Sequence, residues 1–336
     1  MGMNFSPKIK RGIVVVFFCL LLTGCGTKKN ELLDYRVAIS EVGDTPFENN
    51  AAVTQDYLSD GICVIQEEQQ TKKQDSIMSA KASLMVNDTD GTMLYSHNIY
   101  QKIYPASITK IVTALVVFKY GNLEDTVTVS YNASHITEYG AKLCGFEEGD
   151  KIVLRDLLSS FLVFSGNDAG VAIAEHIAGS EKAFAKLMNR EMKNLGAVHS
   201  HFVNPHGLHH KKHYTTAYDL YLVFHELAKN QTFLDIINQS SYTAKFRGKD
   251  KKKKKLHFTT TDRYLIGQAV PPEGITVIGG KTGTTLKAGS CLILYSEGKD
   301  DTHYISAVLK AEGGDNLYVQ MNHLLEYAQK DMGNSN

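Results

Sequence analysis

The 336-residue sequence has no tryptophan, only 6 prolines and no net charge, because 36 lysines and arginines balance 36 aspartates and glutamates. A strong excess of either sign would favour nucleic acid or an anionic surface as a partner. The charge balance indicates neither, and we expect no nucleic-acid partner. Apolar residues make up 43% of the chain, which is enough for a folded protein with a sizeable core.

The apolar run near the N-terminus is too short to cross a bilayer comfortably, which takes about 20 residues. It spans Ile13 to Leu22 and follows the basic stretch KIKR at residues 8–11, a pattern typical of a secretory signal peptide. The run ends in LTGC, which resembles the bacterial lipobox. That resemblance implies cleavage before Cys25, lipid attachment to this cysteine, and a protein tethered to the outer face of the cytoplasmic membrane. An uncleaved anchor is the alternative.

The 5 cysteines do not indicate a disulfide framework. Cys19 would leave with the signal peptide, and Cys25 would carry the lipid. Cys63, Cys144 and Cys291 then remain, an odd set without metal-type spacing. We expect buried small apolar residues, although one pair, which the sequence does not specify, could form.

Three segments are predicted along the chain. Residues 1–24 form the signal peptide, residues 25–76 form a lipidated, polar tether, and residues 77–332 form one folded domain. The tether has no sustained hydrophobic period. Its short apolar pieces, such as GICVI, could instead add a strand to the folded domain.

Hydrophobic periodicity predicts strands at both ends of this domain and helices between them. Two alternating runs split by Asp90-Gly91 predict a hairpin, and the apolar stretch 107–121 predicts a buried helix. Helical patterns follow over 154–195, with breaks near FSGND and at Gly179-Ser180, where Ser180 is expected to cap a helix, and again over 216–228.

The last third of the chain changes to strand-length apolar runs, with a hairpin turn at 297–301 and a final helix capped by Asp315. Together the elements predict a mixed α+β fold. One antiparallel sheet is built from both ends of the chain and flanked by helices, mainly on one side, with a largely helical insert.

Ser107 and Lys110, in YPASITK, lie at the predicted start of the buried helix. Residues three apart share a helix face, and Ser107 would lie beside unpaired backbone donors at the positive end of the helix dipole. A serine needs a neighbouring base to act as a nucleophile, and a lysine buried beside other cations loses its proton more easily. The spacing alone is weak evidence, since Ser296 and Lys299 repeat it in a predicted turn.

Two further motifs accompany this pair. FSGNDAG places Ser165 and Asn167 at a break between helices, and GGKTGTT places Lys281 to Gly283 on a predicted strand. Ser-x-x-Lys, Ser-x-Asn and Lys-Thr-Gly, in this order, are the signature of penicillin-binding proteins and serine beta-lactamases. With the flanks in YPASITKIVTAL, DLLSSFLVFSGNDAGVAIAEHIAGS, FVNPHGLHHKKHYTTAYDL and GGKTGTTLKAGSCLI, residues 82–309 closely resemble the serine-type D-alanyl-D-alanine carboxypeptidases.

This resemblance implies a cell-wall peptidase without a metal or cofactor. Its substrates would be peptidoglycan stem peptides ending in D-Ala-D-Ala, and beta-lactams would be its covalent inhibitors. Ser107 would attack the carbonyl between the two terminal D-alanines, and Lys110 would accept its proton. Ser165 would relay a proton to the leaving amine, while Asn167 would bind the substrate's peptide and orient Lys110.

The resemblance also assigns the substrate-binding strand, with Lys281, Thr282, Gly283 and Thr284. The first two would bind the terminal carboxylate. The backbone N–H groups of Ser107 and Thr284 would form the oxyanion hole. Gly280 and Gly283 would let the backbone approach the substrate closely.

The chain departs from the family pattern at several points. Phe164 stands where relatives commonly have a proline, and HFTTTDRYL replaces a turn that often contains asparagine. After Leu309 there is room for one helix. We therefore expect the second, beta-rich domain of many relatives to be missing and the lipid on Cys25 to replace its anchor helix.

Two other functions stay open. A serine beta-lactamase is disfavoured because class A enzymes have Ser-Asp-Asn where this chain has Ser165-Gly166-Asn167, and because no deacylating glutamate motif is found. The third possibility is a surface lipoprotein that binds wall peptides or beta-lactams without useful turnover.

Two further features are interpreted as structural. Six histidines lie between His199 and His213, but their spacings fit no helical zinc pair, and the family match indicates a loop of structural histidines. The lysine run 251–255 is expected at the tip of an exposed hairpin or loop, with contact to an anionic wall polymer as a second interpretation.

Overall fold

The computed structural model describes Cys63 and residues 75–334. The predicted signal peptide, Cys25 and nearly all of the predicted tether lie outside these residues and stay predictions. Cys63 is buried against the folded domain, where its N–H donates to the Tyr221 hydroxyl and its carbonyl accepts from the Tyr218 hydroxyl. Within the described part of the chain, no helix combines the length and apolar character needed to cross a membrane.

Strands lie at both ends of the described domain, and helices lie mainly in its middle. The strands are β1 (Ala82–Asn87), β2 (Thr92–His97), β3 (Thr126–Thr128), β4 (Lys151–Val153), β5 (Ser241–Arg247), β6 (Lys253–Thr259), β7 (Ile275–Thr285), β8 (Gly289–Gly298) and β9 (His303–Ala311). The helices are α1 (Thr109–Tyr120), α2 (Tyr131–Ser134), α3 (Leu154–Val163), α4 (Asn167–Ala178), α5 (Glu181–Asn194), α6 (Ala217–Ala228), α7 (Gln231–Ile237) and α8 (Gly314–Asn334).

A 5-stranded antiparallel sheet joins the two ends of the domain in the order β2-β1-β9-β8-β7. The N-terminal hairpin turns at Asp90-Gly91, as predicted, and pairs with the C-terminal strands through β1 and β9, where Ala82 lies opposite Leu309. This confirms the predicted α+β fold. Strand β7 is left at the edge, where a substrate can reach it.

Both faces of this sheet are covered by helices. Leu84 and Val86 of β1 belong to the large core that contains α1 and α6, whereas Met85 belongs to a second cluster with Met321 and Leu325 of α8. Side chains alternate between the two faces of a strand, so β1 is apolar on both sides because both sides are buried.

The helical insert contains a 4-stranded sheet, of order β3-β4-β5-β6, that the sequence patterns do not predict. Strands β3 and β4 have 3 residues each, too few to show a period. The expected position of the lysine run 251–255 is partly wrong, because Lys253 to Lys255 lie inside β6 rather than at the hairpin tip. Because the run consists of identical charged residues, it shows no alternation of polar and apolar side chains. The structure shows an alternation of environment instead, since Lys254 is paired with Glu147 and Asp150.

The helix boundaries follow the predicted breaks, with one correction. Ser180 caps α5 as expected, since its hydroxyl accepts from the Ala183 N–H at 3.2 Å. Asp315 does not cap α8. It lies inside the first turn and accepts from Arg263 Nη1 at 2.6 Å, because the helix already begins at Gly314.

The three described cysteines, Cys63, Cys144 and Cys291, are buried and free. Burial raises the pKa of the Cys291 thiol to about 11. They therefore act as small apolar residues, which confirms the prediction.

Candidate active site

Ser107 lies in a tight turn that leads directly into α1. Residues 106–108 form one 3-10 turn, and Ala106 has a φ of +48°, in the left-handed region that costs a residue with a Cβ about 1–2 kcal/mol. Gly207, with φ +93°, packs against this turn so closely that a Cβ there would lie 1.8 Å from the Ala106 carbonyl oxygen. The neighbouring loop therefore holds the strained turn in place, and only glycine fits at position 207.

Lys110 is fully buried one helical turn after Ser107. Its Nζ lies 3.1 Å from Ser107 Oγ, 2.8 Å from Asn167 Oδ1 and 2.8 Å from the His206 carbonyl oxygen. Burial, and then the positive charge of Lys281, hold the pKa of Lys110 well below its ordinary value. A lysine that is readily neutral beside a serine hydroxyl can accept the proton of that hydroxyl.

The break between α3 and α4 brings Ser165 and Asn167 to the same cleft. Ser165 has a φ of +73°, so the chain reverses sharply at this residue. Asn167 is the first residue of α4, and its N–H donates to the Lys142 carbonyl at 2.7 Å. The amide oxygen of Asn167 is thereby fixed on Lys110.

Asp168 anchors the loop that forms one wall of the cleft. Its buried carboxylate accepts from the N–H groups of Cys144 at 2.8 Å, Gly145 at 2.8 Å and Phe146 at 3.2 Å. Gly166 must lack a side chain here, because a Cβ would lie 2.3 Å from Cys144 Sγ. The loop is thus clamped beside the two motif residues that flank Gly166.

Neighbouring residues of β7 point in opposite directions, as strand geometry requires. Lys281 is buried, its Nζ donates to the Thr282 carbonyl at 3.0 Å, and burial followed by the charge of Lys142 lowers the pKa of Lys281 to about 7. The hydroxyl of Thr282 lies in the cleft, 2.5 Å from that of Thr261. Lys281 therefore lies on the same face of β7 as Gly283, where its charge acts on Lys110, whereas Thr282 reaches the cleft.

Gly280 and Gly283 were both predicted to let the backbone approach the substrate closely, but in the structure they contact different elements. A Cβ at Gly283 would lie 2.9 Å from the backbone nitrogen of Ser107, so this glycine lets β7 touch the nucleophile's turn. A Cβ at Gly280 would lie 2.1 Å from the Ile293 carbonyl oxygen, so Gly280 serves the packing of β7 on β8 rather than the substrate. Thr284 lines the cleft beside Gly283, where its N–H and that of Ser107 are candidates for the oxyanion hole.

Three cleft residues, Lys142, Thr261 and Arg263, are not among those predicted from the sequence. Lys142 Nζ lies 3.8 Å from the centroid of the Phe164 ring, the residue that replaces the usual proline. Arg263 lies 5.1 Å over the ring of Tyr318 and is paired with Asp315. Both Thr261 and Arg263 belong to HFTTTDRYL, where the match to relatives is degenerate, and an isolated arginine in a loop carries no periodic signal.

The cleft between these elements has a volume of about 320 Å³. It joins the predicted residues Ser107, Ser165, Asn167, Thr282, Gly283 and Thr284. In the described part of the chain its lining contains the cations Lys142 and Arg263 but no carboxylate. A nucleophile, a base and cations around one small cleft fit acyl transfer on a substrate that carries a negative charge.

The histidine-rich loop supports the site through hydrogen bonds of its buried rings. His213 Nε2 lies 2.8 Å from Thr109 Oγ1, and His206 Nε2 lies 3.2 Å from a Glu181 oxygen. Burial lowers the pKa of His213 to about 3, so this ring stays neutral. Among the described residues, no group of three or more potential ligands is arranged to hold a metal.

Comparison with known proteins decides the family. A family model described as D-alanyl-D-alanine carboxypeptidase matches residues 68–313. The chain belongs to this family. Among individual relatives, the chain is 31% identical over 254 residues to D-alanyl-D-alanine carboxypeptidase DacF of Bacillus subtilis. This match covers 74% of the chain and 62% of the relative. It is also 31% identical over 243 residues to DacC of Escherichia coli, covering 70% of the chain and 57% of the relative.

Solved structures agree with this assignment. A variant of a Streptomyces DD-transpeptidase has a TM-score of 0.70 and 27% identity, covering 77% of the carboxypeptidase-family chain and 100% of the other. Penicillin binding protein 5 of Haemophilus influenzae has a TM-score of 0.67 and 26% identity, covering 76% and 72% of the two chains. The chain spans about three fifths of the length of the curated relatives named above. The family resemblance inferred from the three motifs is confirmed.

Proposed function

We propose that this chain is a serine D-alanyl-D-alanine carboxypeptidase that removes the terminal D-alanine from peptidoglycan stem peptides. The observation that carries the proposal is the buried Lys110, whose Nζ lies 3.1 Å from Ser107 Oγ in a cleft lined by cations. A lysine desolvated in this way loses its proton more readily, and a serine beside it can act as an activated nucleophile.

The acylation step follows from this geometry. Lys110 takes the proton of Ser107 as its Oγ attacks the carbonyl carbon between the two D-alanines. The N–H groups of Ser107 and Thr284 stabilise the oxyanion. Ser165, which also lines the cleft, relays the proton from Lys110 to the leaving nitrogen, so the C–N bond breaks and D-alanine departs. Asn167 keeps Lys110 in place through the 2.8 Å hydrogen bond.

The terminal carboxylate distinguishes an exopeptidase substrate from an internal peptide bond. The Thr282 hydroxyl and the Arg263 guanidinium both line the cleft, and an arginine can bind a carboxylate with two parallel hydrogen bonds. Lys281, buried on the face of β7 that meets the Ser107 turn, adds positive potential to the site. A water molecule then hydrolyses the acyl-enzyme, with Lys110 again as base. A beta-lactam acylates Ser107 by ring opening and loses no leaving group, so its adduct would be long-lived.

The predicted N-terminus supports the proposal that this reaction takes place at the cell surface. With Cys25 lipidated after signal-peptide cleavage, the catalytic domain of residues 77–332 would work on the wall from the outer face of the cytoplasmic membrane, at the end of the tether formed by residues 25–76. Support for this comes from the LTGC motif and the preceding short apolar run.

The test is mass spectrometry of the products formed from a synthetic D-Ala-D-Ala peptide by the detergent-solubilised full-length protein. Wild type is expected to release one D-alanine from the peptide and, when incubated separately with penicillin, to form a penicilloyl adduct. Ser107→Ala is expected to do neither. Ser296→Ala, a change in the other Ser-x-x-Lys sequence, is the matched control and should retain both. A wild-type protein that gives neither product nor adduct would overturn the proposal.

A transpeptidase activity of the same site is the second candidate, because one of the similar structures is that of a Streptomyces DD-transpeptidase. Adding an amine acceptor to the assay separates the two, since transfer yields a cross-linked product in place of the hydrolysed one. Rapid turnover of penicillin would instead indicate a beta-lactamase. Tight peptide binding with very slow acylation would indicate a non-catalytic surface lipoprotein.

A further inference from the structure

A row of cations covers the exposed side of the second sheet. The cationic face consists of Lys151 of β4, Lys245 and Arg247 of β5, and Lys253 and Lys255 of β6, all of which are exposed. None of these five side chains lines the active-site cleft. The alternate residues of the same strands, among them Ala244, Phe246 and Phe258, are buried in the core.

The strand register places like charges directly opposite each other. Lys245 lies opposite Lys255, and Arg247 lies opposite Lys253 on one side and Lys151 on the other. Opposed residues point to the same face with Cβ atoms roughly 4.5–5.5 Å apart, and like charges at that distance destabilise a sheet. The arrangement therefore costs folding free energy, and packing does not explain why it is present.

Nearby carboxylates do not neutralise this face. Within the described residues, no ion pair involves any member of the cationic face, and Arg247 makes one hydrogen bond, to the Lys251 carbonyl at 3.2 Å. Lys254, which points to the other side of β6, is paired with Glu147 at 2.7 Å and Asp150 at 2.9 Å. Acidic residues are thus close in the chain but are paired with lysines outside the face.

The five side chains line an open groove of about 710 Å³, together with the paired Lys254 and with Thr126, Val153 and Phe246. Neighbouring strands are about 4.8 Å apart and alternate residues about 6.8 Å apart, so the charges form a regular grid. Four of the five are lysines, which act as point charges and lack the fork with which arginine matches a planar carboxylate. Such a grid suits single tetrahedral anions repeated along a flexible chain.

We propose that the cationic face binds a linear, phosphodiester-linked polymer of the cell wall, such as a polyol phosphate. The choice of a wall polymer, rather than nucleic acid, rests on the secretion proposed above. Strand β6 leads directly to Thr261 and Arg263 of the cleft. Polymer bound on this face therefore lies on the sheet next to the catalytic cleft and holds the enzyme against its substrate layer.

The test measures binding of detergent-solubilised full-length protein to immobilised poly(glycerol phosphate) by biolayer interferometry. Salt is kept near 0.1 M, where the screening length is about 10 Å. The face variant carries Lys245→Gln, Arg247→Gln and Lys255→Gln. The control variant carries Lys182→Gln, Lys186→Gln and Lys193→Gln, which remove the same charge from exposed positions of α5. The face variant is expected to bind about a hundredfold more weakly, and the control to bind like wild type.

A second measurement separates binding from folding. Because like charges are removed, the face variant should unfold at the same or a higher temperature than wild type at low salt, and its release of D-alanine from a soluble peptide should be unchanged. Equal losses of affinity in both variants would overturn the proposal in favour of general attraction. No wild-type binding to the polymer, or a loss of binding to phosphatidylglycerol vesicles in the face variant as large as its loss on the polymer, would also overturn it, whatever the outcome of the peptidase assay.

Discussion

Replacing Asp168 with asparagine should reveal how much the clamp beside the active site contributes to stability. Asp168 Oδ1 accepts from the N–H groups of Cys144 at 2.8 Å and Ala169 at 3.0 Å, and Oδ2 accepts from those of Gly145 at 2.8 Å and Phe146 at 3.2 Å. Asparagine keeps one oxygen acceptor. Its amide NH₂ group must then face two backbone donors in a buried position.

The size of the effect follows from these contacts. A hydrogen bond to a charged group contributes about 1.5–3 kcal/mol, so loss of two predicts a decrease of about 3–6 kcal/mol in the free energy of unfolding. In a domain of this size each kcal/mol lowers the unfolding midpoint by about 2–4 °C. The expected decrease is therefore about 6–24 °C.

Circular dichroism of the full-length protein at neutral pH measures the midpoint, and fluorescent penicillin labelling below the midpoint reports the state of the site. Asp235→Asn is the matched control, because Asp235 is exposed and the same change there should alter stability by no more than about 0.5 kcal/mol. A stability of Asp168→Asn within about 1 kcal/mol of wild type would refute the idea that the charge organises this loop.

Three further changes test other parts of the site and fold. Gly207→Ala should abolish penicillin labelling and destabilise the fold, because its Cβ would overlap the Ala106 carbonyl. Lys281→Met should move the acidic limb of the acylation pH profile to higher pH, because loss of the positive charge raises the pKa of Lys110 and a larger fraction of this base is then protonated at a given pH. Glu191→Gln should flatten acid denaturation measured by circular dichroism. Burial opposes ionisation of Glu191, but hydrogen bonds outweigh it and lower its pKa from 4.5 to about 2, so wild type loses this stabilisation as pH falls through that window.

Controls separate these causes from general damage. Gly179→Ala introduces a Cβ at a similar positive φ of 75° but into open space, so it should cost about 1–2 kcal/mol and leave labelling intact. Lys287→Met, at an exposed position near the end of β7, should leave the pH profile unchanged. The interpretation of Gly207 would be wrong if both glycine variants lost labelling equally. That of Lys281 would be wrong if the acidic limb of the pH profile did not move in Lys281→Met, and that of Glu191 would be wrong if acid denaturation were unaltered in Glu191→Gln.

The residues of the candidate site were predicted from three short motifs and their resemblance to a family signature, and the local structure around each motif was also predictable. Ser107 precedes an apolar helix, Ser165 interrupts two helices, and Lys281 lies in a strand. The pairing of both ends of the described domain in one sheet also followed from the order of the elements.

Other features depend on contacts between distant segments, which no local pattern encodes. Arg263 reaches the cleft because Asp315 and Tyr318 of α8 hold it there, 52 residues and more along the chain. Asp315 was predicted to cap the last helix because its carboxylate lies near the helix start. In the structure the same carboxylate binds Arg263 instead. The separate orientations of Lys281 and Thr282 became clear only when β7 was seen at the sheet edge.

The central claim is that Ser107 is activated by Lys110, a buried lysine whose pKa lies well below its ordinary value. The pH dependence of Ser107 acylation by penicillin, followed by mass spectrometry of the adduct-bearing peptide in the full-length protein, tests this claim most directly. The rate should rise with pH and level off well below 10.5, the ordinary lysine value. An adduct on another residue, or a rate that keeps rising to the ordinary lysine pKa, would contradict it.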